Sequence, residues 1–194
     1  MTTTTMTIVV ARHGEDIGWT SQFENVIIYN KGLPLPGGGN YIEIPLPNVG
    51  KEGHTYYKHI CDNYDNLGDN IVFVQGNPFD HSPNLVANIK SIKPAIEFEF
   101  LSEQILETNL LGCPHHVGIP MADVYFKLFN ITSFEYAFRF GAGAQFVVSK
   151  EVILRRPRTF YLKIVEMLEN SVNPIEGFVI ERLHPLIFSD MPSF

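Results

Sequence analysis

The 194-residue chain carries 14 Lys and Arg against 21 Asp and Glu, a formal charge of −7, which argues against a general nucleic-acid binder because phosphate neutralisation needs a basic surface. Hydrophobic residues make up 45% and charged residues 18%, with 15 Phe and 8 Tyr, as in a globular chain long enough for a single domain with a sizeable core. Two cysteines, Cys61 and Cys113, fall short of a disulfide framework and suit a reducing compartment, and no apolar run reaches membrane-spanning length, so a cytoplasmic protein without a membrane span is expected.

Residues 1–6, MTTTTM, are expected to be disordered, with one domain over 7–194. Thr7 to Ala11 is a short apolar, β-branched run that reads as a first strand ending in the polar loop Arg12 to Asp16. Ile17 and Trp19 open a short helical segment, and Val26 to Tyr29 forms a second run after a connection too short for a long crossover helix. Four prolines and four glycines between Gly32 and Asn48 predict a loop, with a short strand at Tyr41 to Ile44.

From Lys51 to Leu67, Tyr56, Tyr57, Ile60, Tyr64 and Leu67 recur at helical spacing. Glu52 and Gly53 at its start read as capping and backbone-approach residues. Ile71 to Val74 is an unbroken apolar run, the pattern of a parallel strand covered on both faces. Beyond it lie a helix at Leu85 to Ile92, a strand at Ala95 to Leu101, irregular chain from Thr108 to Pro120 and a helix at Met121 to Phe129. Gln145 to Val148 is a short buried strand, and Ser149 is placed to cap the helix after it. A helix starting near Pro157 and a last one over Glu176 to Phe188, kinked or ended near Pro185, complete the chain. Strands alternating with helices make an α/β domain.

Ligands of open α/β sheets bind beyond the carboxyl ends of the strands. Three segments are expected to meet there: Arg12 to Asp16, Gln75 to His81, and Gly141 to Gln145. Neither a Walker A motif nor G-x-G-x-x-G after the first strand is present, so a bound diphosphate would need a cation and scattered basic side chains. Asp80 and His81 read either as metal ligands or as caps of the segment starting near Pro83. Arg155, Arg156 and Arg158 read either as a diphosphate site or as a solvated helix junction. His54 and His59, five apart, point to different faces of their helix, and the segment of Cys113, His115 and His116 is left outside the site.

In this order, VVARHGEDIGW, VGKEGHTYYKHICDNYDNL, IVFVQGNPFDH, GAGAQFVVSKEVILRRPRTFY and ERLHPLIF resemble a family of small glycosyltransferase-like proteins, similar to a fungal family of unknown function and to glycosyltransferase domains of large algal DNA viruses. The likeness runs from about residue 7 to residue 188. It implies a single glycosyltransferase A-like (Rossmann-like) domain, a mostly parallel sheet flanked by helices, with a nucleotide sugar bound beside a metal. It further implies that Ala11, Arg12, Glu15 and Asp16 line the nucleotide pocket, and that Asp80, with His81, stands where such proteins carry an Asp-x-Asp element; Gln75 and Gly76, in the loop after the central strand, are expected to bind the nucleotide sugar with them. No second aspartate stands two residues from Asp80.

The resulting expectation is a transferase that moves a sugar from a nucleotide-sugar donor, a UDP-sugar, to a glycan acceptor with the help of Mn or Mg. Glu176 and Glu181 are its candidate bases, and Arg155 and Arg156 its diphosphate-binding cations. The alternative is a nucleotide-sugar or carbohydrate binding module without turnover.

Overall fold

The computed structural model of the chain describes residues 5–132 and 137–189. Its centre is a six-stranded sheet in the order β3-β2-β1-β4-β8-β5, formed by β1 (Met6–Arg12), β2 (Val26–Asn30), β3 (Ile42–Pro45), β4 (Asn70–Gln75), β8 (Phe146–Ser149) and β5 (Phe98–Phe100). β3, β2, β1 and β4 run parallel, whereas β8 is antiparallel to both β4 and β5. A separate ribbon pairs β6 (Ile105–Asn109) with β7 (Ala137–Gly141).

The continuous apolar runs of β1 and β4 follow from burial on both faces. On one face Val9, Ile71 and Phe73 meet the helices α1 (Lys51–Asp62), α3 (Met121–Phe129), α5 (Arg158–Leu168) and α6 (Ile175–Phe188). On the other, Ile8, Val10, Val72 and Val74 pack on α2 (Leu85–Lys90) and on Ile17 beside a 3-10 helix at Gly18–Gln22. The fold is therefore α/β with a mostly parallel central sheet flanked by helices. Among the described residues no helix is long and apolar enough to cross a membrane.

Several expected boundaries shift. The disorder expected through residue 6 does not extend to Met6, which opens β1, nor to Thr5, whose amide donates to Asp69 Oδ2 at 2.7 Å; residues 1–4 lie outside those described. α1 stops at Asp62 rather than Leu67, and of the strand expected over Ala95 to Leu101 only the later part, Phe98–Phe100, forms β5. Pro185 neither ends nor interrupts α6, which continues to Phe188. Ser149 does cap the short α4 (Lys150–Leu154), accepting from the Val152 amide at 3.3 Å.

Candidate functional site

From β1 the chain moves outward to β2 and β3, then crosses over through α1 to enter β4 on the other side of β1. The strand order reverses between β1 and β4, and a crevice opens beyond the carboxyl ends of such a pair. Here it is a hollow of about 300 Å³ whose walls include Ala11, Arg12, Lys31, Glu52, Gln75 and Asn77. A second hollow of about 500 Å³ adjoins it, sharing Arg12 and Glu15 and reaching Asp16, Leu35 and Tyr41. Sequence-expected residues Ala11, Arg12, Glu15, Asp16 and Gln75 therefore do come together.

Within the loop after β1, Glu15 Oε2 accepts from the amides of His13 (2.7 Å) and Gly14 (3.0 Å). Burial alone would raise the Glu15 carboxyl; these amides and the Arg12 charge outweigh it and hold the group below its ordinary value. Arg12 Nε donates to the Glu15 carbonyl at 3.0 Å and Nη1 to Asn30 Oδ1 at 2.8 Å, tying the ends of β1 and β2. Asp16 Oδ1 accepts from the Gly18 amide at 2.8 Å. Gly76 needs its missing side chain, because a Cβ there would stand 2.7 Å from Glu15 Oε2.

The loop after β4 is pinned by Trp19, whose indole donates to the Gly76 carbonyl at 3.0 Å, and by Gln145, whose Nε2 donates to the Pro78 carbonyl at 2.8 Å. The expected meeting of Gln75–His81 with Gly141–Gln145 is thus found, although β8 is antiparallel and reaches this edge with its beginning rather than its end. A Cβ on Gly143 would lie 2.5 Å from His81 Cδ2. His81 Nδ1 is engaged with Gln104 Oε1 at 2.9 Å, leaving Nε2 as its only other ring nitrogen. Asp80 is exposed, and among the described residues no group of three His, Cys, Asp or Glu side chains gathers around it or elsewhere.

Of the two candidate bases, Glu181 reaches this edge: its Oε1 accepts from the Gly143 amide at 2.8 Å and its Oε2 from Arg182 Nη1 at 2.8 Å. Glu176 sits in the first turn of α6, partly exposed, and does not line either hollow.

Arg155 and Arg156 are a correction. Ser149 pairs with Asn70 at the start of β4, and the Lys150 amide donates to the Asp69 carbonyl at 2.8 Å, so α4 and the arginines after it lie at the sheet edge opposite Ala11 and Gln75. Arg155 pairs with the exposed Glu97 at 2.6 Å. Arg156 Nε donates to the Ile187 carbonyl at 2.7 Å while its guanidinium lies 4.7 Å from the Phe160 ring, so it closes the carboxyl end of α6. Arg155 and Arg156 thus make structural contacts at the far edge, where the antiparallel run of β8 carries them.

Two residues at the crevice escaped the sequence reading. Lys31, directly after β2, donates from Nζ to the Val49 carbonyl at 2.6 Å and to the Lys51 carbonyl, and burial brings its pKa down to about 8 against the pull of Glu52. Glu52, partly buried in the first turn of α1, has its carboxyl pushed up by burial and by the Glu181 charge, against Lys51 and Lys31. The available signal was position: both follow strands of the parallel set, the edge where chemistry is expected.

A family model described as protein of unknown function (DUF3431) matches residues 8–194. No curated protein matches the chain.

Proposed function

The chain belongs to the DUF3431 family, and we propose that it is a nucleotide-sugar-dependent glycosyltransferase of glycosyltransferase A-like fold, with its donor at the β1/β4 crevice and a glycan as acceptor. The observation that carries this reading is the smaller hollow at the reversal of strand order, with the larger one beside it across Arg12 and Glu15. The larger, with Tyr41 and Leu35 on its walls, suits a nucleoside. The smaller, with Lys31, Lys51 and Arg12 beside a carboxylate, suits a diphosphate and the sugar next to it. Asp80, on the loop after β4 but outside the walls of both hollows, is the carboxylate that would hold Mn²⁺ or Mg²⁺ together with donor phosphates, and the ion would screen the charge that develops on the leaving diphosphate.

A second reading is a nucleotide-sugar or carbohydrate binding module without turnover. It is favoured by Glu181 and His81, two groups expected to do chemistry that instead hold neighbouring loops together.

A thermal-shift screen of the full chain with nucleoside diphosphates and nucleotide sugars, each with and without Mn²⁺, tests the donor reading, since a ligand of the native state raises apparent stability. A metal-enhanced shift with one nucleotide sugar, followed by release of its diphosphate on adding glycan acceptors, is the expected result. A shift without any transfer selects the binding module; no shift with any nucleotide removes both nucleotide readings.

A further inference from the structure

Resting on the transfer reading above, we infer that Glu52 is the catalytic group that takes the proton of the acceptor hydroxyl. It lines the smaller hollow, where the sugar end of the donor would lie, and among the described residues its carboxyl has no hydrogen-bond partner besides its own backbone amide. Glu181, the obvious rival, has one oxygen committed to the Gly143 amide and the other to Arg182. A carboxylate tied by two donors is a weak base; one that is partly desolvated and free to accept is a stronger one.

The charges around Glu52 fit this division of labour. Glu181 faces it from α6, Lys31 from the segment after β2 and Lys51 from its own helix, while Arg12, His13 and Glu15 stand on the wall across the hollow. Burial raises the Glu52 carboxyl and the fixed negative charge of Glu181 adds to the effect, moving it towards neutrality, where a base works best. One turn further along α1, the Tyr56 hydroxyl is wholly buried, has no hydrogen-bond partner among the described residues and feels the charge of both carboxylates. Glu181 thus acts as a positioning and tuning residue, and Glu52 as the acceptor of the proton.

In the step itself, a single displacement, the acceptor oxygen forms its bond to the anomeric carbon as the bond from that carbon to the diphosphate oxygen breaks. The electron pair of the broken bond leaves on the diphosphate. The hydroxyl proton moves to the Glu52 carboxylate, which returns it to water after product release.

The test compares wild type, Glu52→Gln and Glu52→Asp by nucleotide-sugar thermal shift and by transfer rate, together with a ¹³C NMR titration of the wild-type carboxyls. The expected result is an unchanged donor shift in Glu52→Gln with kcat reduced about a hundredfold or more, a partial loss in Glu52→Asp, and a Glu52 carboxyl that titrates above the ordinary glutamate range and matches the acid limb of kcat. Transfer by Glu52→Gln at the wild-type rate, or a Glu52 titration in the ordinary range, overturns the inference while leaving the transferase reading standing. A wild type that neither binds nor transfers from any nucleotide sugar removes the transferase reading, and this inference with it. Should Glu52→Gln fail to fold by circular dichroism, the wild-type titration and the Glu52→Asp rates decide alone.

Discussion

The Gly143 amide donates to Glu181 Oε1 at 2.8 Å, fastening the turn before β8 to the middle of α6. Gly143 holds this contact at φ +82°, a left-handed conformation, and a Cβ there would press on the His81 ring. Gly143→Ala therefore suffers backbone strain of about 1–3 kcal/mol before any clash is counted. Chemical denaturation should show that loss, and a wild-type midpoint would mean that the turn relaxes freely.

Arg182 is the next member of the same chain of contacts. It is 5% exposed, donates from Nη1 to the Phe178 carbonyl at 2.6 Å and to Glu181 at 2.8 Å, and stacks its guanidinium 4.8 Å from the Phe140 ring. Removing one partner of a largely buried pair costs about 3–5 kcal/mol. Arg182→Ala should therefore lower the melting temperature sharply, whereas a full-strength fold with only reduced transfer would assign Arg182 to chemistry.

Three histidines predict acid lability. Burial brings His184 down to about 3, and His54 and His59 down to about 4. His59 Nδ1 takes part in a 3.0 Å hydrogen bond with Tyr29 Oη, and His184 is packed 4.6 Å from the Phe146 ring, its Nε2 without a partner among the described residues. Their folded pKa values lie below an unfolded value of about 6.5, so the unfolded chain binds more protons. Stability is full above that pH and falls as the pH drops towards 4, by about 1.4 kcal/mol per pH unit for each histidine. Denaturation midpoints between pH 7 and pH 4 measure the slope. His184→Phe, which keeps the ring and removes the proton site, should flatten it by about one third and leave stability at pH 7 unchanged or higher.

The two sheet edges separate fold from function. Arg156→Ala strips donors from the last carbonyls of α6 and should melt the protein earlier while leaving nucleotide binding intact once folded. Asp80→Ala, at an exposed position, should keep the wild-type melt and lose the metal-dependent part of the nucleotide shift. The reverse pattern would return the diphosphate to the arginines.

These assignments show what periodicity can and cannot carry. The buried runs of β1 and β4 and the amphipathic stripe of α1 were legible because burial writes itself into hydrophobic spacing. The direction of β8 was not, since four buried residues, Phe146 to Ser149, read alike either way; Arg155 and Arg156 were offered to a diphosphate for their density of charge, which does not record the edge they lie at. The ribbon of β6 and β7 was missed because Ile105 to Asn109 pairs with chain some thirty residues away, a tertiary choice that local pattern does not record. Asp80 was singled out by its place after a strand, and the structure puts it in an exposed loop there. Glu52 was passed over because a carboxylate in the first turn of a helix already has a dipole-based reason to be there.

Lys31 yields a prediction in which clamp and charge come apart. Its Nζ donates to the carbonyls of Val49 and Lys51, fixing the entry to α1 just where Gly50 turns at φ +61°. Lys31→Met keeps the apolar stem but removes the donor to the Val49 and Lys51 carbonyls, a loss of about 1–3 kcal/mol. In the wild type, a folded pKa of about 8 lies below the unfolded value of about 10.4, so the folded chain binds fewer protons between them and this residue's contribution to stability rises with pH across that window. A neutral amine still has two N–H donors for its two carbonyls, so the clamp survives deprotonation while the positive charge beside the proposed diphosphate site disappears. Nucleotide affinity should therefore fall above pH 8 with no parallel fall in melting temperature, and thermal melts with and without a nucleoside diphosphate from pH 7 to pH 9.5 test it. Affinity that stays level across that range would show that Lys31 serves only to hold the start of α1.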